Sequence, residues 1–203
     1  MSSATLYTLS APSGAGKTSL VKALTDQDSS IQVSISHTTR TPRLGEANGV
    51  NYHFVDKPEF QQMISDQAFL EYAEVFGNYY GTSAPWVKQQ LASGRDVLLE
   101  IDWQGAAQIK QLMPETVAVF ILPPSLDALE QRLTGRGQDP ADVIAKRLAE
   151  AKNEISHAAS ADYLIVNDKF DDALNELASL FDTKKTQSAE QQQGFQALLA
   201  ELS

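Results

Sequence analysis

Ala11-Pro12-Ser13-Gly14-Ala15-Gly16-Lys17-Thr18 is the most informative stretch of this chain. It follows the short β-prone run Thr5-Leu6-Tyr7-Thr8-Leu9-Ser10, and the residues from Ser19 to Leu24 read as a continuing helix. Strand, Gly-rich loop and helix is the context that a phosphate loop requires. The glycines let backbone N–H groups turn inward around phosphate oxygens, and the helix N-terminus adds its dipole. Ser13, Gly14, Ala15 and Gly16 form the expected cradle. Lys17 is expected to reach the β- and γ-phosphates of a nucleoside triphosphate, and the Thr18 hydroxyl to ligand Mg2+. The strict pattern has Gly at the first position, where this chain has Ala11; alanine is tolerated there if φ is negative.

Outward from the loop, strands alternate with helices. Val97-Leu98-Leu99-Glu100-Ile101 and Val117 to Leu122 read as buried parallel strands, with a helix over 104–112 between them. Ser125 opens a helix to Leu133. Asp139-Pro140 starts another, with Val143, Ile144, Leu148, Ala151 and Ile155 as its apolar face. Tyr163 to Val166 is a last strand and Asp171 to Phe181 a last core helix. This order predicts an α/β fold, a three-layer phosphate-loop core around a parallel sheet with right-handed crossovers. The stretch from about 33 to 90 breaks the rhythm and reads as an inserted lobe. Within it, 31–55 reads as strands and turns, and Asp56-Lys57-Pro58-Glu59 as a helix start, followed by Phe60, Met63 and Ile64. The expected parts are a core of 1–32, 92–134 and 158–185, a lobe of 33–91, a lid with its flanking helix at 135–157, and a tail of 186–203.

The charge balance narrows the partners. Sixteen basic and 26 acidic residues give a net charge of −10. Phosphate contacts dominate nucleic-acid affinity, so no nucleic-acid partner is expected. The six arginines are Arg40, Arg43, Arg95, Arg132, Arg136 and Arg147. Their grouping as 40/43 and 132/136/147 marks two small anion-handling patches, because the guanidinium fork matches phosphate oxygens. His37, His53 and His157 have no metal-ligand spacing. The chain has no cysteine, no apolar run near the ~18 residues that span a bilayer, and no signal-peptide pattern at its start. A cytoplasmic setting without membrane attachment is the expectation.

A phosphate loop alone does not name a reaction. The rest of the chain strongly resembles the guanylate kinases, with the bacterial branch nearest. The resemblance is carried by Ser34-Ile35-Ser36-His37-Thr38-Thr39-Arg40-Thr41-Pro42-Arg43, Gly45-Glu46, Asn48-Gly49, Tyr52-His53-Phe54, Phe69-Leu70-Glu71-Tyr72 and Gly77-Asn78-Tyr79-Tyr80-Gly81-Thr82. Further along it is carried by Ile101-Asp102-Trp103-Gln104-Gly105, Ile121-Leu122-Pro123-Pro124-Ser125, Gly135-Arg136-Gly137, Lys146-Arg147-Leu148 and Ile165-Val166-Asn167-Asp168. The match keeps family order from about residue 5 to 180.

The resemblance implies Mg2+-dependent transfer of the γ-phosphoryl group of ATP to GMP, giving ADP and GDP, with an inserted GMP-binding lobe and a short lid. It implies that Arg40, Arg43, Tyr52 and Tyr80 hold the GMP phosphate, and that Ser36, Glu71 and Thr82 read guanine. A carboxylate such as Glu71 accepts from guanine N1–H and N2–H2, whereas adenine reverses the pattern at that edge; without the resemblance, Glu71 reads as a solvated residue at a helix end. Asp102 lies near GMP and the metal in relatives. Glu100 stands where the family usually has Asp, and an acid there supports Mg2+. Arg132, Arg136 and Arg147 match the lid and its flanking helices, where arginines neutralise the transferring phosphoryl group. Asn167 matches a position near the ATP base.

Two rivals stand beside this reading: a catalytically inactive guanylate-kinase-like interaction module, and a phosphate-loop kinase for another acceptor. Intact Gly14, Gly16, Lys17 and Thr18 weigh against the first. In the tail, Phe195, Leu198, Leu199 and Leu202 form an apolar stripe on one helix face. A short helix with that stripe is expected to pack on its own core or on a second subunit, as a homo-oligomer.

Overall fold

The computed structural model describes residues 4–75, 77–135, 140–183 and 195–202. Expectations for the lid residues Arg136 to Asp139, and for the Gln-rich link before the tail helix, lie outside them. The chain forms two compact units, one of Met1–Tyr7, Ser30–Leu99 and Gln104–Thr116, the other of Thr8–Ser29, Glu100–Trp103 and Val117–Ser203. The division falls inside strand β1 (Leu6–Ser10) and strand β7 (Val97–Glu100).

These strands belong to a five-stranded sheet of order β2-β7-β1-β8-β9, with β2 at Gln32–Val33, β8 at Val117–Leu122 and β9 at Tyr163–Val166. β2 pairs with β7, and β8 with β9, in parallel. All residues of β1 and β8 are buried, which is why β8 reads as a continuous apolar run rather than an alternating one.

The first unit also carries a four-stranded sheet of order β4-β3-β6-β5, from β3 (His37–Thr38), β4 (His53–Phe54), β5 (Phe69–Val75) and β6 (Asn78–Ser83). β5 and β6 are antiparallel. Helix α2 (Lys57–Ser65) begins as its sequence requires: Asp56 accepts from the Glu59 N–H, and a proline sits in the first turn. Its Phe60 is fully buried and stacks on Phe69 and Tyr79. Helix α3 (Ala84–Ala92) follows β6 directly, capped by the Ser83 hydroxyl.

In the second unit, β1 feeds the phosphate loop and helix α1 (Lys17–Gln27). Helix α4 (Trp103–Leu112) starts here and runs into the first unit. α5 (Leu126–Gly135) opens on Ser125, whose hydroxyl accepts from the Ala128 N–H. α6 (Ala141–Ser156) packs on α5 through Leu129, Leu133, Ile144, Leu148 and Ala151. α7 (Phe170–Thr183) lies beside α1. The tail helix, α8 (Gln196–Leu202), settles on its own core: Leu202 is buried among Phe120, Leu122, Ile155 and Leu164, with Phe195, Leu198 and Leu199 packed around it.

Candidate active site

The site residues fall into two groups, one in each unit. In the second unit, Gly14 and Gly16 both take left-handed φ values, 94° and 95°, so the loop turns tightly between strand and helix. Among the described residues the one non-glycine with positive φ is Gln67. Ala11 therefore carries no left-handed strain, and its departure from the motif is harmless. Helix α1 begins at Lys17, two residues earlier than the sequence alone indicates, so Lys17 and Thr18 sit in its first turn with the dipole behind them. Lys17 Nζ donates to the Ile101 carbonyl at 3.5 Å, and Thr18 Oγ1 lies 3.5 Å from Glu100 Oε2. The longer glutamate thus reaches the same hydroxyl that the motif assigns to a cation. Two hard oxygen donors side by side suit Mg2+, which takes one or two protein oxygens and completes its shell with water and phosphates.

Beside this loop stand Arg132 and Asn167. The Arg132 Nη2 donates to the Asn167 carbonyl at 2.8 Å, and the Asn167 Nδ2 donates to the Ala15 carbonyl at 2.7 Å. Arg147 is half-buried on α6, and Asp102 precedes α4. Sequence reasoning missed Glu154. It lies seven residues beyond Arg147, on the same face of α6. Its carboxyl accepts a hydrogen bond from the Ser13 backbone. Burial pushes it up to about 7, reinforced by Asp102 and Glu150 and opposed by the Ser13 hydrogen bond and Lys17.

In the first unit, β5 and β6 place Glu71 opposite Thr82. Glu71 is 5% exposed, not solvated at a helix end, and Thr82 is fully buried. The Thr82 hydroxyl donates to Glu71 Oε1 at 2.5 Å. Ser36, partly exposed, precedes β3, and its carbonyl accepts from the His53 N–H. The Arg40 guanidinium lies 5.4 Å from the Tyr52 ring centre and hydrogen-bonds Tyr80; those two rings are 6.0 Å apart, edge to face. Arg43 is exposed. Glu46 organises this corner: its oxygens accept from Arg40 Nη2 at 2.8 and 3.0 Å, and Oε2 also accepts from the Arg43 N–H at 2.7 Å. Gly45-Glu46 was part of the quoted pattern, but nothing in its spacing announced that role. The hydrogen bonds with Arg40 hold the Glu46 carboxyl below the usual carboxylate range.

A parallel sheet whose strand β1 enters a Gly-Lys-Thr loop, with lysine in the first turn and Arg132 tied to the loop through Asn167, defines a phosphate-loop α/β nucleotide-binding protein. A family model described as guanylate kinase matches residues 3–184. The guanylate kinase of Saccharophagus degradans is 59% identical over 198 residues, 98% of this chain and 97% of that one. That of Escherichia coli is 55% identical over 204 residues, covering 100% and 99%. A crystal structure of guanylate kinase from Anaplasma phagocytophilum superposes with a TM-score of 0.77 at 32% identity, covering 92% of this chain and 89% of that one. The chain belongs to the guanylate kinase family, and it is a kinase of the nucleoside monophosphate class.

Proposed function

We propose that this chain transfers the γ-phosphoryl group of ATP to GMP, with Mg2+, and that the following residues divide the work. The phosphate loop, Ser13 to Thr18, holds the ATP phosphates. Lys17 withdraws charge from the β/γ region. Thr18 and Glu100 would hold Mg2+, which supplies charge neutralisation on the phosphates when bound. Arg132, Arg136 and Arg147 stabilise charge on the transferring group. In the lobe of 33–91, Arg40, Arg43, Tyr52 and Tyr80 take the GMP phosphate. Ser36, Glu71 and Thr82 read guanine, with Asp102 supporting the acceptor.

The observation that carries this reading is the buried Glu71–Thr82 pair in the same unit as the Arg40–Tyr52–Tyr80 corner. A buried carboxylate held by a neighbouring hydroxyl is an acceptor of fixed direction, suited to a ligand edge that carries N–H donors. Guanine N1–H and N2–H2 are such an edge. Adenine N1 is an acceptor and would face the carboxylate with a lone pair. Titration calorimetry with GMP and AMP tests this: GMP should bind with at least 10³-fold preference, given that sites built to hydrogen-bond a substrate reject analogues lacking the partner by ~10⁴–10⁵. Equal affinities would overturn it.

The rival of an inactive interaction module finds no support, because the phosphate loop keeps Gly14, Gly16, Lys17 and Thr18 and the relatives quoted are guanylate kinases. Among the described residues no helix is long and apolar enough to cross a membrane. We place the reaction in the cytoplasm, in purine nucleotide metabolism.

A further inference from the structure

Asn167 has no part in a phosphate-loop motif, yet it stands at a junction. It follows β9 directly and is 5% exposed. Three of its polar groups reach three different elements. Its N–H donates to the Leu122 carbonyl at the end of β8, at 2.8 Å. Its carbonyl accepts from Arg132 Nη2 on α5, at 2.8 Å, and its side-chain Nδ2 donates to the Ala15 carbonyl inside the phosphate loop, at 2.7 Å. The last of these spans 152 positions of sequence and is buried, where a hydrogen bond is hardest to replace with water.

Two further observations point the same way. A Cβ built on Gly16 would fall inside van der Waals contact of Asn167 Nδ2. The amide therefore packs closely against the loop backbone, and a side chain at position 16 would have to displace it. Arg132 Nη1 is buried and has no hydrogen-bond partner among the described residues. Its sister nitrogen is engaged by Asn167, so the guanidinium is held in place with the N–H groups of Nη1 available to a ligand. A buried donor without a partner is costly, and a phosphate oxygen is the acceptor its geometry favours.

We propose that Asn167 is a positioning residue for the triphosphate: it fixes the phosphate loop through Ala15 and Arg132 through its own carbonyl, so that loop and arginine meet the phosphates as one body. It acts through the phosphates and not through the purine base. The inference rests on the phosphate-loop part of the proposed function and differs from the placement of Asn167 near the ATP base. With its amide removed, the Ala15 peptide loses its outer partner and the N–H groups of Gly16 and Lys17 lose their fixed aim.

The test is equilibrium binding of ATP, GTP, inorganic triphosphate and GMP to the wild type, Asn167→Ala and Asn167→Asp. Asn167→Ala should weaken ATP, GTP and inorganic triphosphate by one common factor of about tenfold, the scale of one lost buried hydrogen bond. Asn167→Asp should weaken all three more, because an acceptor then faces the Ala15 carbonyl. GMP affinity should not move in either variant. Loss confined to ATP, with inorganic triphosphate unchanged, would overturn the proposal and leave Asn167 as a base contact. A common loss that includes GMP would show general damage to the fold and would also overturn it. If the wild type does not bind inorganic triphosphate at all, the phosphate-loop reading fails and takes this inference with it. Gly16→Ala gives an independent measure. Its penalty on triphosphate binding should be smaller in the Asn167→Ala background than in the wild type, since the clash is then relieved. Strictly additive penalties would contradict the contact.

Discussion

The Thr82 hydroxyl donates a buried 2.5 Å hydrogen bond to the Glu71 carboxylate. This bond restrains how the Glu71 carboxyl plane lies. Glu71→Gln keeps the shape but puts an NH2 donor where an acceptor stood. GMP binding should weaken by about 1.5–3 kcal/mol, the scale of a hydrogen bond to a charged group. AMP should change little, so the GMP-to-AMP ratio of kcat/KM falls. Steady-state kinetics on both acceptors check this; an unchanged ratio would move guanine recognition to another residue, with Asp102 first in line.

Lys17→Ala should leave a folded chain with kcat reduced on the order of 10³-fold or more, as for other groups that stabilise transition-state charge. Lys17 lies in the first turn of α1, and alanine is a good helix former there. Retention of a tenth of wild-type kcat, with an unaltered melting curve, would contradict its role.

Arg147→Ala should lower kcat while GMP affinity stays within about twofold, because a group acting on the transferring phosphoryl helps mainly in the transition state. A large rise in the GMP dissociation constant with kcat intact would reassign α6 to acceptor binding.

Two partly buried groups give pH signatures of opposite sign. Burial raises Glu154 from 4.5 to about 7. Between those values the folded chain keeps a proton that the unfolded chain has lost, so this contribution to stability falls as pH rises from about 4.5 to about 7. His37 is lowered from 6.5 to about 4, by burial first and then by His53, whose ring stacks 4.7 Å away. Its contribution is present above 6.5 and is lost as pH falls toward 4. Thermal melts from pH 4 to 8 should show Glu154→Gln more resistant than wild type to rising pH, and His37→Phe more resistant to falling pH. Parallel curves for either pair would remove that group from the account.

Much of this was legible in sequence where the signal is local. The Gly-Lys-Thr loop, the buried strands and the Asp56 cap each declare themselves within a few residues. The stripe of Phe195, Leu198, Leu199 and Leu202 also announced a helix, and the structure shows which of its two expected surfaces it covers. Leu202→Ala should therefore cost about 2 kcal/mol of stability, as for other buried leucines, in denaturant unfolding. The β5–β6 hairpin was harder to read. Glu71 occupies an inward position between Phe69 and Ala73, where alternation demands an apolar residue, and its partner Thr82 lies across the hairpin, eleven positions away. Glu154 on Ser13, Glu46 on Arg40 and Asn167 on Ala15 share that difficulty. They are side-chain contacts without periodicity, and the last joins residues at opposite ends of the chain.

The central claim is the acceptor. A coupled assay of ADP release, with ATP, Mg2+ and each of GMP, AMP, CMP and UMP in turn, tests it most directly. GMP should be phosphorylated with kcat/KM at least 10³-fold above the other three, in line with rejection of bases that leave buried polar groups unpaired. A comparable or higher kcat/KM with any other nucleotide, or no ADP release with GMP, would contradict it.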